Sequence, residues 1–224
     1  MPKMLLHELH PAVIHMPLAL LPTATVADVI AVATGDRAWA KVGRRLWVAG
    51  TLSALFSGVA GLAASQEVKL DEPRARDMVF IHGLGNALIT VGAVGVTLWR
   101  LGRPPSLGQC LIGLMANAAA VYTATLGGKM VYELGVGINP MPVDAAAGTL
   151  KGPPLLSREA PKALVRDALL GVRWLVGRAV SLFSGVDPLA SGAKGFGAGT
   201  EVPVVSGEPP PRASTTAFPH LPTV

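Results

Sequence analysis

The chain has 224 residues, 50% of them hydrophobic, only 15% charged, and a formal net charge of +5. Ordinary soluble domains carry roughly 25% charged residues, so this balance excludes a typical soluble enzyme and points to a small integral membrane protein. The single cysteine, Cys110, excludes an internal disulfide, a multi-cysteine zinc site and an iron–sulfur cluster held by this chain alone.

Stretches free of Asp, Glu, Lys and Arg occupy residues 11–27, 46–66, 78–99 and 104–128, with lengths of 17, 21, 22 and 25. A membrane span needs about 20 apolar residues, with a range of roughly 17–25. Transmembrane helices are therefore expected at about 11–34, 45–66, 78–100 and 106–128. Pro17 and Pro22 would kink the first. Asp28 is expected near its cytoplasmic end, paired with a loop arginine. Residues 36–45 read as the link to the second helix, with Arg37, Lys41, Arg44 and Arg45 against Asp36. Trp39, Trp47 and Trp99 read as interface anchors. The second helix repeats small residues every fourth position (Gly50, Ala54 and Gly58, with Ser53, Ser57, Gly61 and Ser65 beside them), which lets backbones approach and places this helix at the centre of a bundle.

Lys and Arg near the spans number six on the loop side of helices one to two and three to four, and five on the other. That bias places both termini outside the cytoplasm. The first span would itself direct insertion, without a cleavable leader. The basic residues sit beside the spans, so the lipid bilayer is the expected partner and nucleic acid is not.

Beyond the four-helix domain of residues 1–139, residues 140–160 read as a linker and 161–185 as an amphipathic helix, with Pro161 in its first turn. Lys162, Arg166 and Arg173 share one edge, Asp167 and Arg178 another, and Leu164, Leu175 and Leu182 an apolar sector. Such a helix is expected in the headgroup layer, because a fifth span would carry four charges into the membrane. Residues 186–224 read as a disordered tail in which His220 has no role. The expected fold is thus an all-α membrane protein: a four-transmembrane-helix bundle followed by an amphipathic interfacial helix and a disordered tail.

Two stretches carry candidate chemistry, HPAVIHMPLALLP at 10–22 and FIHGLGN at 80–86. His15 and His82 each lie four residues inside a predicted helix start, roughly 6 Å in from the same surface. Two histidines at matched depth on different spans suit the axial ligands of one b-type haem. Asn86, one turn from His82, would orient a ring nitrogen. Gly83 and Gly85 would admit a flat macrocycle, and Arg74, Arg76 or Lys129 would neutralise its propionates. A second haem would need further ligand histidines that the chain lacks. Alternatively, His10, His15, His82 and Glu133 would form a non-haem divalent-metal or quinone-like site. The plainer alternatives are a capping or interfacial role for His10, hydrogen bonds of His15 and His82 to one another or to a backbone carbonyl, and a Lys129–Glu133 salt bridge or interfacial snorkelling. Without a nucleophile elbow, a phosphate loop or a convincing carboxylate pair, an electron carrier or complex subunit is expected rather than a stand-alone enzyme.

The stretches HPAVIHMPLALLP, IHGLGNA and GGKMVYELGVG together resemble the bacterial membrane domain-of-unknown-function family 2231, over about residues 7–139. The resemblance implies a compact four-helix membrane domain and picks out His10, Pro11, His15, Pro17, His82, Gly128, Tyr132, Gly135 and Gly137. Met16 stands where an aromatic is common. Leu134 stands where the family often has His, which removes a possible extra ligand. Some members are joined to a Rieske iron–sulfur domain, which implies electron transfer; this chain has no Rieske ligands, so its redox partner would be a separate subunit. A structural or assembly subunit of a larger membrane complex is the other expectation.

Overall fold

The computed structural model describes residues 4–68, 70, 72–137 and 152–189. A 3-10 turn, Leu6–Glu8, leads into α1 (Leu9–Val13) and α2 (His15–Thr34). There follow α3 (Arg37–Glu67), α4 (Pro73–Gly102), α5 (Leu107–Tyr132) and α6 (Ala160–Phe183). Four helical stretches are long and apolar enough to cross a membrane: Leu6–Thr34, Arg37–Glu67, Pro73–Gly102 and Leu107–Tyr132. The protein is a multi-pass membrane protein with a further helix, as its composition requires, and no strand is present among the described residues.

The helices run further than the charge-free stretches. Gly35, at φ +70°, ends α2 and returns its N–H to the Ala31 carbonyl. The next residue, Asp36, caps α3 by accepting the Ala38 N–H at 2.7 Å. Residues 37–45 are therefore the opening turns of α3 and not a link, because a capped helix continues into polar sequence once its end is satisfied. Pro73 opens α4 at a first-turn position, five residues ahead of the expected start.

The regular helix of the first span lapses at Ile14, between α1 and α2. Pro17 has no N–H to give the Val13 carbonyl, and that carbonyl instead accepts the Ser57 hydroxyl at 3.2 Å. The missing backbone donor is thus replaced from the neighbouring helix, as a membrane interior demands.

The spans pack in a ring, α2 on α3, α3 on α4, α4 on α5 and α5 on α2. The small residues of α3 do what their spacing implies. Gly50 faces Leu21 so closely that a Cβ there would lie 2.7 Å from Cδ2. Leu21, Ala24, Trp47, Ala54, Ala93 and Val96 form the central core.

The bundle gives α6 a berth across the end where α3 finishes and α4 begins. Gly171 rests on the Leu62 backbone, Leu175 on Gly83, and Arg178 donates to Asp77 at 2.6 Å. The buried face of α6 carries Ala163, Asp167, Ala168, Gly171, Leu175 and Arg178. Val165, Leu169, Val172, Val176 and Val180 point outward and are exposed. This corrects the sequence reading, in which Leu175 belonged to the lipid-facing sector and the Asp167–Arg178 edge to the polar side. The inversion has an electrostatic cause: Asp77 at the rim of α4 offers Arg178 a partner inside. The linker expected at 140–160 lies largely outside the described residues, and most of the tail does too.

Candidate functional site

Two imidazoles meet inside the bundle. His10, on α1, has Nδ1 3.0 Å from the Ser57 carbonyl of α3, and its ring occupies the space beside Gly61, where a Cβ would come within 2.9 Å. His82, on α4, has Nδ1 2.8 Å from the Thr123 carbonyl of α5, and its ring lies against Gly127. A carbonyl oxygen only accepts, so each Nδ1 donates a proton to its carbonyl, which fixes the orientation of each ring. Asn86 supports His82: its amide donates to the His82 carbonyl at 2.8 Å and stands 3.3 Å from Nε2, while its Oδ1 accepts the Thr123 hydroxyl at 3.2 Å. The ring centres of His10 and His82 are 6.3 Å apart and the rings are nearly perpendicular, at 85°.

Both imidazoles line a cavity of about 350 Å³, within the size range of small-molecule sites. It continues from the histidines to Trp47, Ala93 and Asn117. His82 and Ala93 are eleven residues apart, about 16 Å along α4. Its walls include Ala54, Gly58, Ala116 and Ala120, and no Asp, Glu, Lys or Arg lines it among the described residues. At the far end the Asn117 amide donates to the Thr25 hydroxyl at 3.1 Å.

The other expected site residues lie elsewhere. His15 is exposed on the outer side of α2, and the ring opposite His82 belongs to His10. Five residues turn a helix by about 140° beyond one revolution, so His10 and His15 cannot share a face. Arg74 pairs with Glu133 at 3.6 Å, both half-exposed, which replaces the expected Lys129–Glu133 bridge. Arg76 and Lys129 are exposed. The four-residue set of His10, His15, His82 and Glu133 does not assemble, and no group of three or more His, Cys, Asp or Glu is placed to hold a metal ion among the described residues. Gly85 serves helix packing, since a Cβ there would meet the Thr123 methyl at 2.8 Å.

A second polar centre occupies the opposite end of the bundle. Asp28 is completely buried and receives the Trp47 indole N–H at 2.8 Å, the Gln109 amide at 2.9 Å and two hydrogen bonds from Arg100. Trp47 is therefore a buried hydrogen-bond donor and not an interface anchor, and the arginine that pairs with Asp28 comes from the last turn of α4 and not from a loop. Gly43 makes room for the Asp28 carboxylate, which lies where its Cβ would be. Sequence reasoning singled out Asp28 but missed Arg100 and Gln109. The available signal was an acid, an arginine and an amide at the same end of three adjacent spans.

A family model described as "Predicted membrane protein (DUF2231)" matches residues 6–140, and the chain belongs to that family. No curated protein and no solved structure matches the chain.

Proposed function

We propose that this chain is a membrane redox protein in which His10 and His82 would hold the iron of one b-type haem. One observation carries the reading: two imidazoles from different helices, each with Nδ1 tied to a backbone carbonyl, stand with ring centres 6.3 Å apart. Anchoring the distal ring nitrogen is how proteins orient ligating histidines. Gly58 has open space where its Cβ would be, and Ala54 and Ala120 keep the wall shallow, as a flat group requires. The haem would supply one-electron chemistry. The chain's own residues would orient the ligands and exclude water with an apolar wall. In this reading the centre lies near the non-cytoplasmic surface of a bacterial inner membrane, both termini lie on that side, and electrons pass to a separate redox subunit.

A second reading rests on the cavity. It is long, apolar and free of charged walls among the described residues, and two Nε2 atoms suit the hydroxyl groups of a quinol head followed by an apolar tail. The test is a reduced-minus-oxidised visible spectrum of detergent-purified protein from haem-replete cells. Haem bands are expected in the wild type and in His15→Ala, and are expected to be lost in His10→Ala and His82→Ala. A flat spectrum from folded wild-type protein overturns the haem reading. Quinone in a solvent extract of the same sample would then support the second, and a blank extract would leave a structural role in a larger complex.

A further inference from the structure

Three titratable side chains are buried together where the 3-10 turn, the end of α3 and the start of α6 converge: His7, Glu67 and Asp167. His7 is 5% exposed and Glu67 4%. Among the described residues, no side chain is hydrogen-bonded to either ring nitrogen of His7 or to either carboxylate oxygen of Glu67. His7 Nδ1 stops 3.8 Å from Glu67 Oε2, beyond hydrogen-bond reach. A backbone strap shuts the pocket. Leu6 N–H donates to the Pro153 carbonyl at 3.0 Å, Leu155 N–H donates to the Met4 carbonyl at 2.7 Å, and Gly152 lies directly against the Glu67 carboxyl.

The charged groups around this carboxyl do not neutralise it. Asp167 acts on Glu67 from α6, carboxylate towards carboxylate. Arg166 is committed to Asp167, at 2.6 Å and 3.0 Å, and its side chain is largely in solvent. Glu8, which also acts on His7, is occupied by the Leu5 N–H at 2.6 Å. An ionised Glu67 would therefore be a buried anion beside a second anion, with no side-chain donor bonded to it among the described residues. Two carboxylates in that position hold a proton between them, and a buried charge left unpaired is strongly unfavourable.

We propose that His7, Glu67 and Asp167 form a proton-binding site that latches α6 and the 152–155 strap onto the membrane bundle. Glu67 carries the proton as a neutral acid, facing the Asp167 carboxylate of α6. When Glu67 ionises, the proton passes to water and the two carboxylates repel across the α3–α6 contact. Low pH therefore keeps α6 docked and high pH loosens it.

The test uses the full chain in lipid nanodiscs. Amide hydrogen exchange over residues 160–183, corrected for intrinsic rates, is followed from about pH 6 to about pH 9. Protection in the wild type is expected to fall roughly tenfold or more over that interval, while Glu67→Gln, which cannot ionise, stays protected throughout. Infrared spectroscopy at neutral pH is expected to show a carboxylic-acid C=O band that disappears in Glu67→Gln and survives in Glu133→Gln, an exposed control. Should Glu67→Gln fail to fold, Asp167→Asn removes the opposing carboxylate and is expected to give the same flat exchange profile. The absence of that band, or equal pH responses in wild type and variant, overturns the proposal. Neither readout depends on a bound haem or quinone.

Discussion

Arg100 of α4 grips Asp28 of α2 with two parallel hydrogen bonds, Nε to Oδ2 and Nη2 to Oδ1, each 2.9 Å long, in a place that solvent barely reaches. The guanidinium is completed by the carbonyls of Arg103 and Ala40, and the carboxylate by Trp47 and Gln109. Each of the four spans thus contributes to one node. Lipid supplies no hydrogen bonds, so a charge inside the bundle must find every partner from protein. The node ties one end of the bundle, while the imidazole pair and its cavity occupy the other.

Removing one member of the node strands the other. Arg100→Met is expected to destabilise the bundle by about 3–5 kcal/mol, the cost of leaving a buried charge unpaired. Asp28→Asn combined with Arg100→Met is expected to recover part of that loss. Denaturant titration in detergent micelles, followed by circular dichroism, measures both; an Arg100→Met midpoint equal to wild type would refute the node's structural role.

The glycines of α3 separate into tight and open positions. Gly43→Ala drives a methyl into the Asp28 carboxylate and is expected to cost about 1–3 kcal/mol. Gly58→Ala meets nothing within 4 Å and is expected to change stability by under about 0.5 kcal/mol. Equal unfolding midpoints for the two variants would contradict the packing described here.

Asn86 orients His82 and lines the same cavity as His10. Asn86→Leu removes the amide at His82 and the acceptor for the Thr123 hydroxyl. If the pair ligates a haem, affinity is expected to fall about 10–100-fold, as when an outer hydrogen-bond partner of a metal ligand is removed, with helix content unchanged. Haem titration of apoprotein reads this directly, and unaltered affinity would remove Asn86 from the site.

The docking of α6 depends on its charged inner face. Arg178 reaches Asp77 and also the carbonyl and carboxylate of Asp187. Arg178→Met is expected to raise hydrogen exchange throughout Ala160–Phe183, by roughly tenfold or more. Val176→Thr, on the outer face, is expected to leave that exchange unchanged in detergent. The opposite ranking would mean that α6 packs through its aliphatic side.

Hydropathy along the chain determined that four helices cross a membrane, because the hydrocarbon thickness sets a length of about 20 apolar residues that can be read locally. Local motifs also determined that His82 and Asn86 share a helix face, one turn apart, and that α3 is central, since its small residues recur every fourth position. Which imidazole turns inward was decided only by tertiary structure. His10 finds the Ser57 carbonyl and the gap at Gly61, while His15 faces outward on the same span. The Asp28–Arg100 pair joins residues 72 apart, and the buried His7–Glu67–Asp167 cluster needs three separate elements. Crossing a membrane is a property of one segment at a time. The rotation of each helix about its axis is a property of its neighbours, set by where a glycine admits a side chain and where a buried polar atom finds its partner.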